Sequence, residues 1–132
     1  MAVAWKRLTV LVVEDDQEMR NLLFEELWSE GYQLREARDG DEAFLAMLQS
    51  MPDLIITDLR MPSGGLEYVN RLRTFAPNCP IIVMTAFADD QARADVTKAG
   101  ATAFLNKPVH LSELKGRVKE LLGHPEGAPR EA

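Results

Sequence analysis

The chain has 132 residues, enough for one domain, and its 46% apolar and 27% charged residues exclude wholesale disorder. Fifteen basic against 21 acidic residues leave a formal net charge of −6. That argues against direct binding of nucleic acid, where cationic contacts with phosphate supply the affinity.

Residues 8–13 are all apolar or β-branched, and a strand buried on both faces is expected there. A helix is expected over 17–30, with Met19, Leu22, Leu23 and Leu27 at helical spacing and Gly31 as its stop. A short strand over 34–37 and a turn at Arg38, Asp39 and Gly40 lead to a helix over 41–49. Its stripe is Ala43, Phe44, Met47 and Leu48. After the breaker Pro52 come a buried strand over 54–58, a loop over 61–65 and a helix over 66–75. Strands over 81–85 and 103–106 flank a helix over 89–99 closed by Gly100. The last helix, over 111–122, has Leu111, Leu114, Val118, Leu121 and Leu122 as its apolar face.

Five strands alternating with five helices predict an α/β domain, a doubly wound parallel sheet with helices on both faces. The expected organisation is an N-terminal extension over 1–7, one domain over 8–122, and a Pro/Gly-rich tail or linker start over 123–132. No run approaches the roughly 18 apolar residues of a membrane span, and residues 1–7 lack the layout of a signal peptide. A cytoplasmic protein without membrane contact is expected. The single cysteine, Cys79, excludes an internal disulfide and a cysteine metal site.

In an open parallel sheet, ligands bind beyond the carboxyl ends of the strands. Those positions hold Glu14, Asp15 and Asp16 after the first strand, Asp58 after the third, Thr85 after the fourth, and Lys107 and Pro108 after the fifth. Converging carboxylates repel and call for a cation. Lys107 supplies one charge, and a hard divalent ion with oxygen ligands suits the rest. Asp58 could then receive a phosphoryl group as nucleophile. Taken singly, each residue has a plain reading as a helix cap or turn residue. Their joint placement at strand ends points to a site.

The ordered motifs Val12-Val13-Glu14-Asp15, Asp58-Leu59-Arg60-Met61-Pro62, Thr85-Ala86 and Lys107-Pro108 resemble the receiver domain of two-component response regulators. The resemblance runs from about Leu8 to Leu122, nearly the whole chain. It implies a flavodoxin-like (βα)5 fold with strand order 2-1-3-4-5. It also implies that Asp58 is the phospho-acceptor, Thr85 the switch hydroxyl, Lys107 the phosphate-binding lysine and Phe104 the switch aromatic. The implied Mg²⁺ (or Mn²⁺) ligands are Asp15, Asp58, the backbone carbonyl of Arg60, and Glu14 through a metal-bound water. Asp16 reads as a helix-start residue. The loop over 63–66 is one residue shorter than the family's usual form, which leaves the start of the third helix open to displacement or fraying.

The partners implied are a sensor histidine kinase or histidine phosphotransfer domain. An output partner or output domain would use the Arg93, Thr97, Phe104 and Arg117 face, and the resemblance allows for a phosphorylation-dependent homodimer. Arg60 and Phe87 stand two past the acceptor and two past the switch threonine, and neither can orient a hydrolytic water. A long phosphoryl lifetime is therefore expected. A cis peptide is expected at Lys107–Pro108, because the lysine must turn back toward Asp58 and only X-Pro bonds make cis accessible. Phe24 and Trp28 are expected to pack against the last helix at Val118 or Leu122 rather than to form a kinase-docking surface. His110, His124 and Cys79 are assigned no role.

Two other functions share parts of this pattern. A Mg²⁺-dependent phosphohydrolase of the haloacid dehalogenase type needs an acid two residues after the nucleophile, where Arg60 stands, and a cap for which this chain has no room. A pseudo-receiver that binds partners without phosphorylation is disfavoured by the intact Glu14, Asp15, Asp58, Thr85 and Lys107. The expectation is a signalling switch, not an enzyme.

Overall fold

The computed structural model describes residues 7–86 and 89–123. Strands and helices alternate as β1 (Thr9–Val13), α1 (Gln17–Ser29), β2 (Gln33–Ala37), α2 (Gly40–Gln49), β3 (Leu54–Asp58), α3 (Leu66–Phe75), β4 (Ile81–Thr85), α4 (Asp90–Ala99), β5 (Ala103–Asn106) and α5 (Leu111–Leu122). The strands form one parallel sheet in the order β2-β1-β3-β4-β5.

Side chains alternate along a strand, so each continuous apolar run feeds two cores. On one face Val10, Val12, Leu54, Ile56, Ile82 and Met84 meet Leu23 and Leu27 of α1 and Leu114 and Val118 of α5. On the other, Leu11, Val13, Ile55, Ile81 and Val83 meet Ala43 and Met47 of α2, Val69 and Leu72 of α3, and Val96 of α4. Each large aliphatic side chain so buried contributes about 1.5–3 kcal/mol. The expected stripes are narrower than their apolar residues suggest. Leu22 and Leu48 turn away from the core and stand exposed, each one residue from a neighbour, Leu23 or Met47, whose side chain is buried.

Helix starts follow local chemistry. Asp16 caps α1 by accepting from the N–H groups of Glu18 and Met19, Asp39 caps α2 through Glu42, and Asp89 caps α4 through Ala92. Helix α3 lacks a side-chain cap, yet it begins at Leu66 as expected. Its short approach loop is closed by backbone bonds, from Gly64 to the Met61 carbonyl and from Gly65 to that of Leu59. The loop also rests on α2. A Cβ at Gly40 would lie 1.9 Å from the Ser63 carbonyl oxygen, so only glycine permits that approach. Register then sets the functional rim: Val13 pairs with Thr57 and Asp58 with Met84, which brings the ends of β1, β3 and β4 level.

Candidate functional site

Asp58 ends β3 and Thr85 ends β4, both buried; Glu14, just past β1, is buried too, while Asp15 beside it is exposed. One carboxylate oxygen from each of Glu14, Asp15 and Asp58 falls within 4.8 Å of the others. Lys107, just past β5, reaches back over this group. Its Nζ lies 3.0 Å from Glu14 Oε1 and 3.2 Å from Asp58 Oδ2. The Lys107–Pro108 peptide is cis, as expected.

Burial pushes the Glu14 carboxyl above its ordinary pKa, as does the nearby charge of Asp58. The hydrogen bond from Lys107 opposes that rise without cancelling it. For Lys107, burial disfavours the ammonium, but its hydrogen bond to Glu14 and the Asp58 charge outweigh that and hold its pKa above the usual lysine range. Three clustered carboxylates, two of them paired with one ammonium, make an all-oxygen donor set with excess negative charge. It fits a hard divalent cation such as Mg²⁺.

The loop after β3 faces the same rim. The Arg60 N–H points at Asp58 Oδ1, 3.4 Å away, and the Leu59 N–H donates to the Met84 carbonyl at 3.1 Å. Beneath it, the Thr57 hydroxyl and Tyr68 hydroxyl are hydrogen-bonded at 2.9 Å in the core. The Lys107 N–H donates to the Thr85 carbonyl at 2.9 Å, which ties the fifth strand's end to the fourth's. Phe104 packs part-buried against the second core, and the Arg93 guanidinium of α4 lies 5.2 Å from its ring centre. Thr97 and Arg117 are exposed on α4 and α5.

Residues 10–119 match the family described as response regulator receiver domain. The chain belongs to that family. Among its relatives is the virulence transcriptional regulatory protein PhoP of Shigella flexneri, 34% identical over 121 residues. That match covers 91% of this chain and 54% of PhoP, so the chain spans about half the length of the PhoP relative. The chemotaxis protein CheY4 of Vibrio cholerae superposes with a TM-score of 0.83 at 28% identity, covering 89% of this chain and all of CheY4. A Francisella response regulator receiver domain superposes with a TM-score of 0.82 at 29% identity, covering 86% of this chain and 95% of its own. The receiver fold and the strand order 2-1-3-4-5 are as the resemblance implied.

The receiver brings Glu14, Asp15, Asp58 and Lys107 together and leaves Asp16 as the cap of α1. Phe87 and His124 lie outside the described residues. One expectation fails. Phe24 packs against the core cluster that includes Val118, but Trp28 is 51% exposed, stacked on Phe24 with the Arg7 guanidinium 5.4 Å from its ring centre. Trp28 stacks on its own helix and stays half exposed instead of being buried against α5.

Sequence reasoning missed Arg20. This buried arginine of α1 donates to the Glu14 carbonyl at 2.7 Å and pairs with Glu36 of β2 at 3.1 Å, fixing the backbone that carries the acidic pair. A signal was present: Arg20 sits three before Leu23 and seven before Leu27, a charged residue on the buried stripe.

Proposed function

We propose that this receiver accepts a phosphoryl group on Asp58 from a histidine kinase or histidine phosphotransfer domain and passes the signal to an output partner. The observation that carries the reading is the Lys107 ammonium held between Glu14 and Asp58 at 3.0 and 3.2 Å, beside three clustered carboxylates.

A carboxylate oxygen of Asp58 attacks phosphorus, forming a P–O bond as the P–N bond to the donor imidazole breaks. The imidazole leaves with the electron pair and takes up a proton. Positioning and charge stabilisation are most of what a protein offers this step. Asp15, Asp58, Glu14 and the Arg60 carbonyl would hold Mg²⁺ or Mn²⁺, which supplies positive charge against the transferring phosphoryl oxygens. Lys107 pairs with a phosphoryl oxygen on the aspartyl phosphate. The Thr85 hydroxyl follows the new acceptor oxygens, and the Arg93–Phe104 contact rearranges with it.

The output surface is then the Arg93, Thr97, Phe104 and Arg117 face, read by a separate protein, by a further domain or by a phosphorylated second copy. PhoP is a transcriptional regulatory protein of which the match covers only 54%, which supports an output domain of that kind. A cytoplasmic location fits, and no described helix is long and apolar enough to cross a membrane. The test is incubation with a small acyl phosphate and Mg²⁺. Intact mass should rise by one phosphoryl group in the parent, and not in Asp58→Asn or with a chelator. Uptake by Asp58→Asn would overturn the assignment.

A further inference from the structure

The face formed by α2 and α3 takes no part in the site or in the proposed output surface, yet it gathers most of the large apolar side chains left exposed among the described residues. Seven large apolar side chains are left exposed among the described residues, and four of them, Leu45, Leu48, Met51 and Phe75, belong to this side. Leu45 and Leu48 protrude from α2, 61% and 69% exposed. Beside them a groove of about 480 Å³ runs between the helices, lined by Phe44, Leu48, Arg71, Thr74 and Phe75. Clustered exposed apolar groups of this kind mark interaction surfaces.

The charges on the face are themselves complementary. Arg71 lies over the Phe44 ring at 4.8 Å and has no ion partner among the described residues. Glu67, one turn earlier on the same exposed side of α3, also has none there. Knob and groove, cation and anion, all stand on one surface, as a twofold contact requires. We propose that this face binds a second copy of the chain in an isologous dimer. Leu45 and Leu48 of one copy enter the groove of the other, and each Glu67 meets the opposite Arg71. This dimer is independent of phosphorylation and lies away from the proposed output surface.

The test is sedimentation velocity of the full chain without a phosphoryl donor, from micromolar to millimolar concentration. A monomer–dimer equilibrium is expected, unchanged in Asp58→Asn. Leu48→Glu and Arg71→Glu should each weaken it about tenfold or more, because an apolar contact is lost or like charges are opposed. Adding Glu67→Arg to Arg71→Glu should restore it. These positions are exposed, and circular dichroism checks that the variants fold. Amide shifts that change on dilution should map to α2 and α3. A chain monomeric throughout would overturn the proposal, as would a dimer indifferent to both single substitutions. Failure of the charge swap to restore would overturn the twofold register. A partner helix from another protein would give the first of these results.

Discussion

Lys107 balances two buried carboxylates that would otherwise repel each other, and the balance is incomplete. Glu14 keeps a raised pKa. A carboxyl whose folded pKa exceeds its unfolded value contributes stability that is full below about pH 4.5 and is lost as pH rises through the folded value. Glu14→Gln carries no such proton. With a chelator present, its thermal midpoint should therefore gain on the parent's between about pH 4 and about pH 7. A difference that shrank over that range would show that Lys107 over-compensates.

We propose that two other residues, Arg60 and Phe87, bear on how long the phosphoryl group lasts. Hydrolysis needs a water placed in line with the aspartyl phosphate, and neither an arginine nor a phenylalanine can act as its base. The double variant Arg60→Asn with Phe87→Glu should lose the phosphoryl group faster than the parent, timed by intact mass after donor removal. Equal lifetimes would relieve both residues of that role.

At the scale of elements, the loop after β3 rests on Gly40 of α2. Its Ser63 takes a positive φ of 58° and its hydroxyl donates to Asp41 at 3.0 Å, while the Gly40 N–H donates to the Pro62 carbonyl at 3.2 Å. Gly40→Ala forces a methyl onto the Ser63 carbonyl. Its cost should be about 1–3 kcal/mol in denaturant unfolding, with weaker Mg²⁺ binding because the displaced loop carries Arg60. Wild-type stability in that variant would mean that α2 and the loop part freely.

Which elements were legible follows from the same physics. Strands buried on both faces write themselves as unbroken apolar runs, so β3 and β4 fall at Leu54–Asp58 and Ile81–Thr85 as expected. Periodicity tells which way a helical side chain points but not whether a neighbour covers it, and Trp28 and Leu48 are exposed for want of one. The site rim was legible because strand ends are. The place of Arg20 on the buried stripe was legible but its role was not, since its partners are a backbone carbonyl and a glutamate on another strand.

Across the whole molecule, one sheet separates two cores and the site straddles their shared rim. Asp58 belongs to β3, Lys107 follows β5, and the Lys107–Thr85 backbone bond joins the ends of β4 and β5. Further out, Arg93 of α4 sits on Phe104 of β5. A change in charge at Asp58 thus acts on Lys107, which ties the ends of β4 and β5, and the Arg93–Phe104 contact joins β5 to α4. Close-packed interiors tend to repack between discrete arrangements rather than deform smoothly.

The central claim is that phosphorylation at Asp58 is read on that distant face. Amide chemical shifts of the Mg²⁺-loaded chain, recorded with and without a phosphoryl mimic, test it directly. Shifts should move at Thr85 and Phe104 and extend to Arg93, Thr97 and Arg117, and all of them should stay still in Asp58→Asn. Changes confined to the loop around Asp58 would contradict it.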